Sequence, residues 1–284
     1  MKKQKTVSIK AKLLGVIIPV VIAIVVVLVV AAYQISAGTI KKYSQNLLQS
    51  SVENQASQIE AWLNENLASF QMAKTIIEDL KPSDEELKTI LDGYYGYNSN
   101  YPEGLYVADS TGQLITASES TKKESDVTNS TWYKEGLTRV NMAVGSAYQN
   151  ADGVNVISAS GILNDGSDKV RVISADMTLD RIAIIVNSFI EMNDAEAFLV
   201  DKTSGVILAN RDSSLISQTL GAEGQSHFYQ LTAEKAAEKD YNFATLDGNM
   251  TVFQEVDGTN WLLISYIPTS IVLSDLTQLR NIMI

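Results

Sequence analysis

One aspartate stands where a charged side chain needs a partner. Asp176 directly follows an apolar run at residues 170–175 that has the composition of a buried strand. A carboxylate beside a buried strand is costly unless it is paired or hydrogen-bonded. The position therefore predicts a charge-assisted partner for this carboxylate. The alternative is that Asp176 caps a helix that begins near Thr178, which is a common role for aspartate.

The sequence contains no motif that predicts catalysis. It has no cysteine and a single histidine, His227, so neither a thiolate site nor a histidine-based metal cluster is expected. Phosphate-cradling loops and nucleophile elbows are also missing from the sequence. We therefore expect a protein that is not an enzyme, with no metal site and no cofactor, and with His227 at the surface.

Charge is distributed unevenly along the 284 residues. Residues 1–12 contain five lysines and no acid, and the rest of the chain has 17 basic and 33 acidic side chains. Such an acidic body repels phosphate backbones, so the composition argues against nucleic-acid binding. Its simplest interpretation is solubility.

A membrane span is predicted near the start. Residues 13–32 carry no charge, and a helix of that length spans about 30 Å, the thickness of the hydrocarbon layer. The preceding lysines predict a cytoplasmic tail at residues 1–12, with the span at residues 13–33 and everything after it outside the cell membrane. A cleaved signal peptide is the alternative, although its apolar stretch is usually shorter. Residues 276–284 are expected to begin a second, truncated span.

A long amphipathic helix is predicted at residues 34–80. Apolar residues recur there at spacings of mostly three, four and seven, as one face of a helix requires. That apolar stripe must pack on the domain that the helix supports or on a second copy of the chain. Lys81-Pro82-Ser83-Asp84 ends the helix, and a short second helix follows.

From residue 104 the apolar period changes to two, which is typical of strands. The hairpin-like pattern at residues 105–117 returns at residues 197–209, and Ile173-Ser174 returns as Ile264-Ser265, 91 positions later. We interpret this as two tandem α+β modules, each an antiparallel sheet flanked by helices, at residues 81–192 and 193–275. The 91-residue spacing places Ile267 at the position equivalent to Asp176, so the second module is expected to lack the carboxylate.

This organisation resembles the double Cache sensor region of bacterial methyl-accepting chemotaxis proteins, with two tandem PAS-like antiparallel-sheet modules. The segment Trp132-Tyr133-Lys134, the later Tyr148 and Ile173-Ser174-Ala175-Asp176-Met177 carry the resemblance. It implies that Trp132, Tyr133, Tyr148 and Asp176 line a ligand pocket in the first, membrane-distal module. Tyr106, on the first predicted strand, is a further candidate for the pocket or for packing. For the aromatic pair alone, a core position is the alternative.

The sequence departs from the pattern of the amino-acid-binding members of that family. In those members the aspartate and tyrosines hold the ligand ammonium, and an arginine two positions before the tryptophan holds its carboxylate. Here that position is Ser130, which cannot form a charged bidentate contact. The resemblance thus implies an amine or a neutral polar metabolite more readily than an amino acid. Arg139 and Arg171 remain candidates for the missing cation.

Taken together, the sequence predicts the extracytoplasmic small-molecule sensor of a transmembrane chemoreceptor, acting as a homodimer. A histidine kinase or a cyclic-dinucleotide cyclase as the output module is the nearest alternative. A surface-anchored structural or adhesion protein without a small ligand is a third reading, favoured if the protein's own side chains fill the pocket.

Overall fold

The computed structural model describes residues 9–151, 153–188, 192 and 194–274. Within them the helices are α1 (Ile9–Leu80), α2 (Asp84–Asp92), α3 (Thr131–Gly136), α4 (Asp180–Val186), α5 (His227–Ala237) and α6 (Thr269–Val272). The strands are β1 (Leu105–Asp109), β2 (Leu114–Ile115), β3 (Ala143–Gln149), β4 (Asn155–Leu163), β5 (Arg171–Thr178), β6 (Glu196–Asp201), β7 (Ile207–Asn210), β8 (Ala244–Leu246), β9 (Asn249–Val256) and β10 (Trp261–Pro268). The α+β class predicted from the sequence is confirmed.

The ten strands form two antiparallel sheets with the same topology. Their orders are β2-β1-β5-β4-β3 and β7-β6-β10-β9-β8, so each strand of the first sheet has a counterpart in the second. Both sheets begin with a hairpin whose first strand ends in an aspartate. Asp109 and Asp201 each accept backbone hydrogen bonds from the turn that follows, which fixes the hairpin.

The predicted 91-residue spacing between equivalent strand residues is wrong. Successive side chains of a strand point to opposite faces, so a shift of one residue exchanges the faces. Ile173 belongs to the core against α1, whereas Ile264 belongs to a core on the far side of the second sheet. Asp109 pairs with Arg171 and Asp201 pairs with Trp261, which makes Tyr266 the counterpart of Asp176. Ile267, buried against α1, corresponds to Met177.

Helix α1 is continuous over 72 residues and has two parts. Residues 13–30 expose their apolar side chains, and this stretch is apolar enough to cross a membrane by length and composition. None of the α1 residues from Leu13 to Leu47 is buried. The predictions for residues 1–8 and for a second span at residues 276–284 lie outside the described residues.

From Leu48 onward, one stripe of α1 packs on the protein's own sheets. Leu48, Val52, Ile59, Phe70 and Ile77 are fully buried, and their cluster includes residues of both sheets. The apolar stripe is therefore used inside the monomer and is not available to a second copy. Of the two uses that the sequence left open for this stripe, packing on the supported domain is the one that the structure shows.

Polar side chains of α1 fix the loops of both modules. Gln55 donates to the carbonyl oxygens of Ile185, Val186 and Ser188 at the end of α4. Glu60 accepts from the backbone of the second module and Gln71 from that of the first. At 1.5 Å per residue, Gln71 lies about 16 Å further along α1 than Glu60.

The α1 stripe makes a matched test of this arrangement. Phe70 is fully buried with its ring 4.7 Å from that of Tyr101, whereas Met72 on the same helix is 67% exposed. Phe70→Ala should lower the free energy of unfolding by about 3–5 kcal/mol, because it leaves a cavity in the core. Met72→Ala should change it by less than about 0.5 kcal/mol. Urea denaturation of the purified chain measures both, and equal effects would contradict the packing.

Candidate functional site

The first sheet presents two different faces. Ile173, Ala175 and Met177 of β5 belong to the core against α1, so the intervening Ser174 and Asp176 point to the opposite side. Cross-strand pairing brings Ser158 of β4 opposite Asp176, and Tyr106 of β1 opposite Ser174. The outer face of the sheet thus collects hydroxyl groups around one carboxylate.

Asp176 is buried and has a hydrogen-bond partner on each oxygen. Its Oδ1 accepts from the hydroxyls of Tyr106 at 2.5 Å, Ser158 at 2.5 Å and Tyr148 at 3.0 Å. Its Oδ2 accepts from the Lys122 ammonium at 2.6 Å. Four protein groups therefore compensate the cost of burying this charge.

The hydroxyls form a connected network. The Tyr148 and Ser158 oxygens lie 2.7 Å apart, so three hydroxyl protons serve four close contacts. Each hydroxyl has a single proton, so a bond between Tyr148 and Ser158 would use a proton that otherwise goes to Asp176. Burial, and then the charge of Asp176, raise the pKa of both Tyr106 and Tyr148. Both tyrosines therefore remain protonated donors.

Lys122 places a cation at the centre of the site. Its ammonium lies 4.2 Å from the centroid of the Tyr106 ring as well as on Asp176, and its side chain is only 10% exposed. A carboxylate on one side and an aromatic face on the other are the surroundings that stabilise an ammonium group. The protein thus provides its own cation at this position.

Helix α3 holds the aromatic wall. Trp132 is fully buried, packs edge-to-face on Tyr106 at 4.9 Å, and donates from Nε1 to Glu124 Oε2 at 2.9 Å. Burial raises the pKa of Glu124, although the hydrogen bond from Trp132 opposes that effect. Ser130 starts the helix and donates its hydroxyl to the Val127 carbonyl oxygen.

Two cavities adjoin Lys122. One has a volume of about 210 Å³ and is lined by Ser130, Tyr148 and Glu124 among others. The other has a volume of about 200 Å³ and includes Asp176 in its lining. Both are lined by Lys122 and Lys123, so the two lysines lie between them.

Residues 32–276 match the Cache domain. The chain belongs to this family. No curated protein matches the sequence. The match covers both sheets and the part of α1 that packs on them, so the two modules of the structure are the two halves of a double Cache region.

Several solved structures share the fold. The ligand-binding domain of Mlp24 with asparagine has a TM-score of 0.67 at 17% identity, over 84% of this chain and 97% of that one. The ligand-binding domain of the Pseudomonas fluorescens chemoreceptor CtaA, in complex with L-isoleucine, has a TM-score of 0.66 at 20% identity, over 84% and 98%. That of the Pseudomonas aeruginosa chemoreceptor PctC, in complex with GABA, has a TM-score of 0.58 at 20% identity, over 79% and 99%.

The first Cache module brings together most of the residues named from the sequence. Tyr106, Trp132, Tyr148 and Asp176 form one contact network, and Ser130 lines the adjoining cavity. Tyr133 contacts the network through the Trp132 ring, with 5.8 Å between the centroids, and has no hydrogen bond to Asp176 among the described residues. Burial, and then the nearby charge of Asp109, raise the pKa of its phenol. The binding role of all six residues remains a prediction.

Two alternatives from the sequence are wrong. Asp176 does not cap a helix, because α4 begins after Leu179 without a side-chain cap and the carboxylate bonds across the sheet. Arg139 and Arg171 do not reach the site either. Arg139 pairs with Glu135, and Arg171 pairs with Asp84 and Asp165.

Sequence reasoning missed Lys122, Glu124 and Ser158. Ser158 was in reach, because a polar residue alternates with apolar ones along β4 and faces β5 in register. Lys122 and Glu124 lie outside the helices and strands, between β2 and α3, in a segment without periodicity. Their approach to Asp176 depends on tertiary folding that local patterns do not encode.

Among its described residues, the second Cache module has no comparable site. Its counterpart of Asp176 is Tyr266, which donates to Glu196 at 2.5 Å. Phe198, Phe228, Tyr229 and Tyr266 contact one another through their rings and fill the face that holds hydroxyls in the first module. The pair Phe228-Tyr229 opens α5 after Ser226, as Trp132-Tyr133 opens α3 after Ser130. As expected, the second module lacks the carboxylate, and the residue at that position is Tyr266.

The raised pKa of Glu124 gives a pH-dependent prediction. A carboxyl whose pKa is raised by folding favours the native state when it is protonated. That contribution to stability is lost as the pH rises from the ordinary pKa of the carboxyl through its raised pKa. Glu124→Gln should therefore raise the melting temperature at neutral pH, and the difference should shrink as the pH falls towards the ordinary glutamate pKa. Glutamine still accepts from Trp132. Glu119→Gln, an exposed change in the same segment, should have no such effect, and parallel curves for wild type and Glu124→Gln would contradict the prediction.

Proposed function

We propose that this chain is the ligand-sensing region of a bacterial transmembrane chemoreceptor, and that the first Cache module binds a small polar molecule with an ammonium group beside Asp176. The observation that carries the proposal is the buried carboxylate with its three hydroxyls and its aromatic neighbour, next to two cavities. Relatives with this fold were solved with asparagine, L-isoleucine and GABA, each of which has an amino group.

The fold offers a route for the signal. Asp176 lies two residues before the end of β5, and α4 starts four residues after it. Gln55 of α1 holds the last carbonyl groups of α4, so a displacement of β5 reaches α1 through one short helix. A ligand that binds one of two arrangements better shifts their populations and moves α1 relative to the sheets. In this proposal the lysine-rich start lies in the cytoplasm and the Cache modules lie outside.

The homodimer is proposed on the face of α1 that the monomer leaves open. Ala61 and Ala68 are exposed on the side opposite the buried stripe and are one heptad apart. Small residues at that spacing allow two helices to approach closely.

The lack of native cysteine makes the dimer directly testable. Ala68→Cys should form a disulfide-linked dimer on mild oxidation of the membrane-embedded chain, because a twofold contact brings the two thiols together. Ser214→Cys, exposed in the second module, serves as the matched control and should stay monomeric. Non-reducing electrophoresis measures both. Equal cross-linking at the two positions, or none at Ala68→Cys, would argue against this interface.

A thermal-shift screen of the purified chain against amines, amino acids and organic acids tests the binding proposal. A ligand that binds only the folded state raises the melting temperature. For any ligand found, Asp176→Asn should weaken binding by about tenfold or more, since it removes a charge-assisted contact but keeps the shape.

Glu196→Gln provides the control for that substitution, because Glu196 accepts from a tyrosine in the second module. It should leave the ligand-induced shift unchanged. A shift that Glu196→Gln abolishes and Asp176→Asn spares would move the site to the second module. If no compound raises the melting temperature, the result would favour a structural or adhesive role over ligand sensing.

A further inference from the structure

We infer that Lys122 exchanges partners on binding: its ammonium leaves Asp176 to the ligand's ammonium and takes the ligand's carboxylate instead. The site would then select a zwitterion, an amino acid or a close analogue. This inference rests on the proposed ligand-sensing function and specifies its ligand class.

The contacts of Lys122 show that it occupies a cation site with its own side chain. The ammonium lies 2.6 Å from Asp176 Oδ2 and 4.2 Å from the centre of the Tyr106 ring. The other oxygen of Asp176 already accepts from three hydroxyls. A ligand ammonium that takes the place of Lys122 at Oδ2 must therefore displace it.

A simple amine gains little from that replacement. It exchanges one ammonium for another on the same carboxylate, so the number of ion pairs does not increase. The displaced lysine is also tethered a short distance away, and its effective concentration at Asp176 is high. Free amines should therefore compete poorly with Lys122.

A simple carboxylic acid is disfavoured for the opposite reason. Glu124 lines one cavity, and Glu103 lines the other together with Asp176. A further carboxylate that leaves the pair of Lys122 and Asp176 intact would add negative charge among three acids that Lys122 and Lys123 only partly balance, and like charges at close range are destabilising.

A zwitterion avoids both penalties. Its ammonium replaces Lys122 on Asp176, and its carboxylate pairs with the released lysine, so one ion pair becomes two without a change in net charge. The geometry suits this exchange, because Lys122 lines the same cavity as Ser130. Ser130 is the position at which the family resemblance expects the carboxylate-binding arginine, and Lys122 is a cation in the lining of that cavity.

The test uses the purified full-length chain and three matched probes for each amino acid: the amino acid, its decarboxylated amine and its deaminated acid, for example L-valine, isobutylamine and isovalerate. The twenty common amino acids and 4-aminobutyrate form the panel. We expect at least one zwitterion to raise the melting temperature, with both of its matched fragments about tenfold weaker or worse.

Substitutions at position 122 then separate exchange from simple competition. Lys122→Met should weaken the zwitterion about tenfold or more and strengthen its amine, which now meets an unpaired Asp176. Lys122→Arg keeps a cation and should retain zwitterion binding. Lys88→Met is the matched control: this lysine is exposed on α2 and lines neither cavity. It should change affinity by less than about threefold.

Three results would overturn the inference, each in a different way. An amine that binds the wild-type chain as tightly as its amino acid would show that Lys122 is merely displaced. Zwitterion binding that survives Lys122→Met but not Asp176→Asn would leave the sensor intact without the exchange. If no probe binds any variant, the ligand-sensing function itself fails. Should Lys122→Met not fold, the comparison of the three wild-type probes still decides.

Discussion

One helix, α1, covers the inner apolar face of both sheets. A sheet with an apolar face is stable only if another element covers that face, and here the stripe of α1 from Leu48 to Ile77 covers both sheets at once. Because α1 takes up the inner faces, each module has its outer face left for a separate purpose. The first uses it for hydroxyls and a buried carboxylate, and the second fills it with aromatic rings. The asymmetry between the modules therefore begins with a shared support.

Much of the fold could be predicted from periodicity. The helix at residues 34–80, its end at Lys81 and the two similar sheets follow from apolar spacing and turn residues. The strand β3 was not predicted, because its small and polar residues, such as Gly145 and Ser146, show no alternation. The predicted equivalence of Ile267 with Asp176 was wrong for a different reason. The matching pair Ile-Ser at 91 residues is a chance identity on opposite faces, and only the pairing of Asp201 with Trp261 reveals the register.

The site was predictable where it lies on strands and helices. Asp176 stood out because an acid beside an apolar strand demands partners, and Tyr106 and Tyr148 lie within reach of it on neighbouring strands. Lys122 and Glu124 could not be found in this way. Their segment has no periodic pattern, and charges without a pattern are usually solvated. Yet Lys122 decides the electrostatics of the pocket, since it neutralises the one acid that the sequence marks for a ligand.

The part of α1 before its buried stripe has a mechanical consequence. From Ala31 to Leu47 none of the helix residues is buried, so this stalk of about 25 Å is at most partly covered by the other described residues. A single α-helix resists compression along its axis far better than it resists bending. A push or pull along the axis would therefore pass down the stalk almost undiminished, whereas a sideways swing would be absorbed by bending of the helix. A second helix alongside would add the stiffness that a swinging or twisting motion requires.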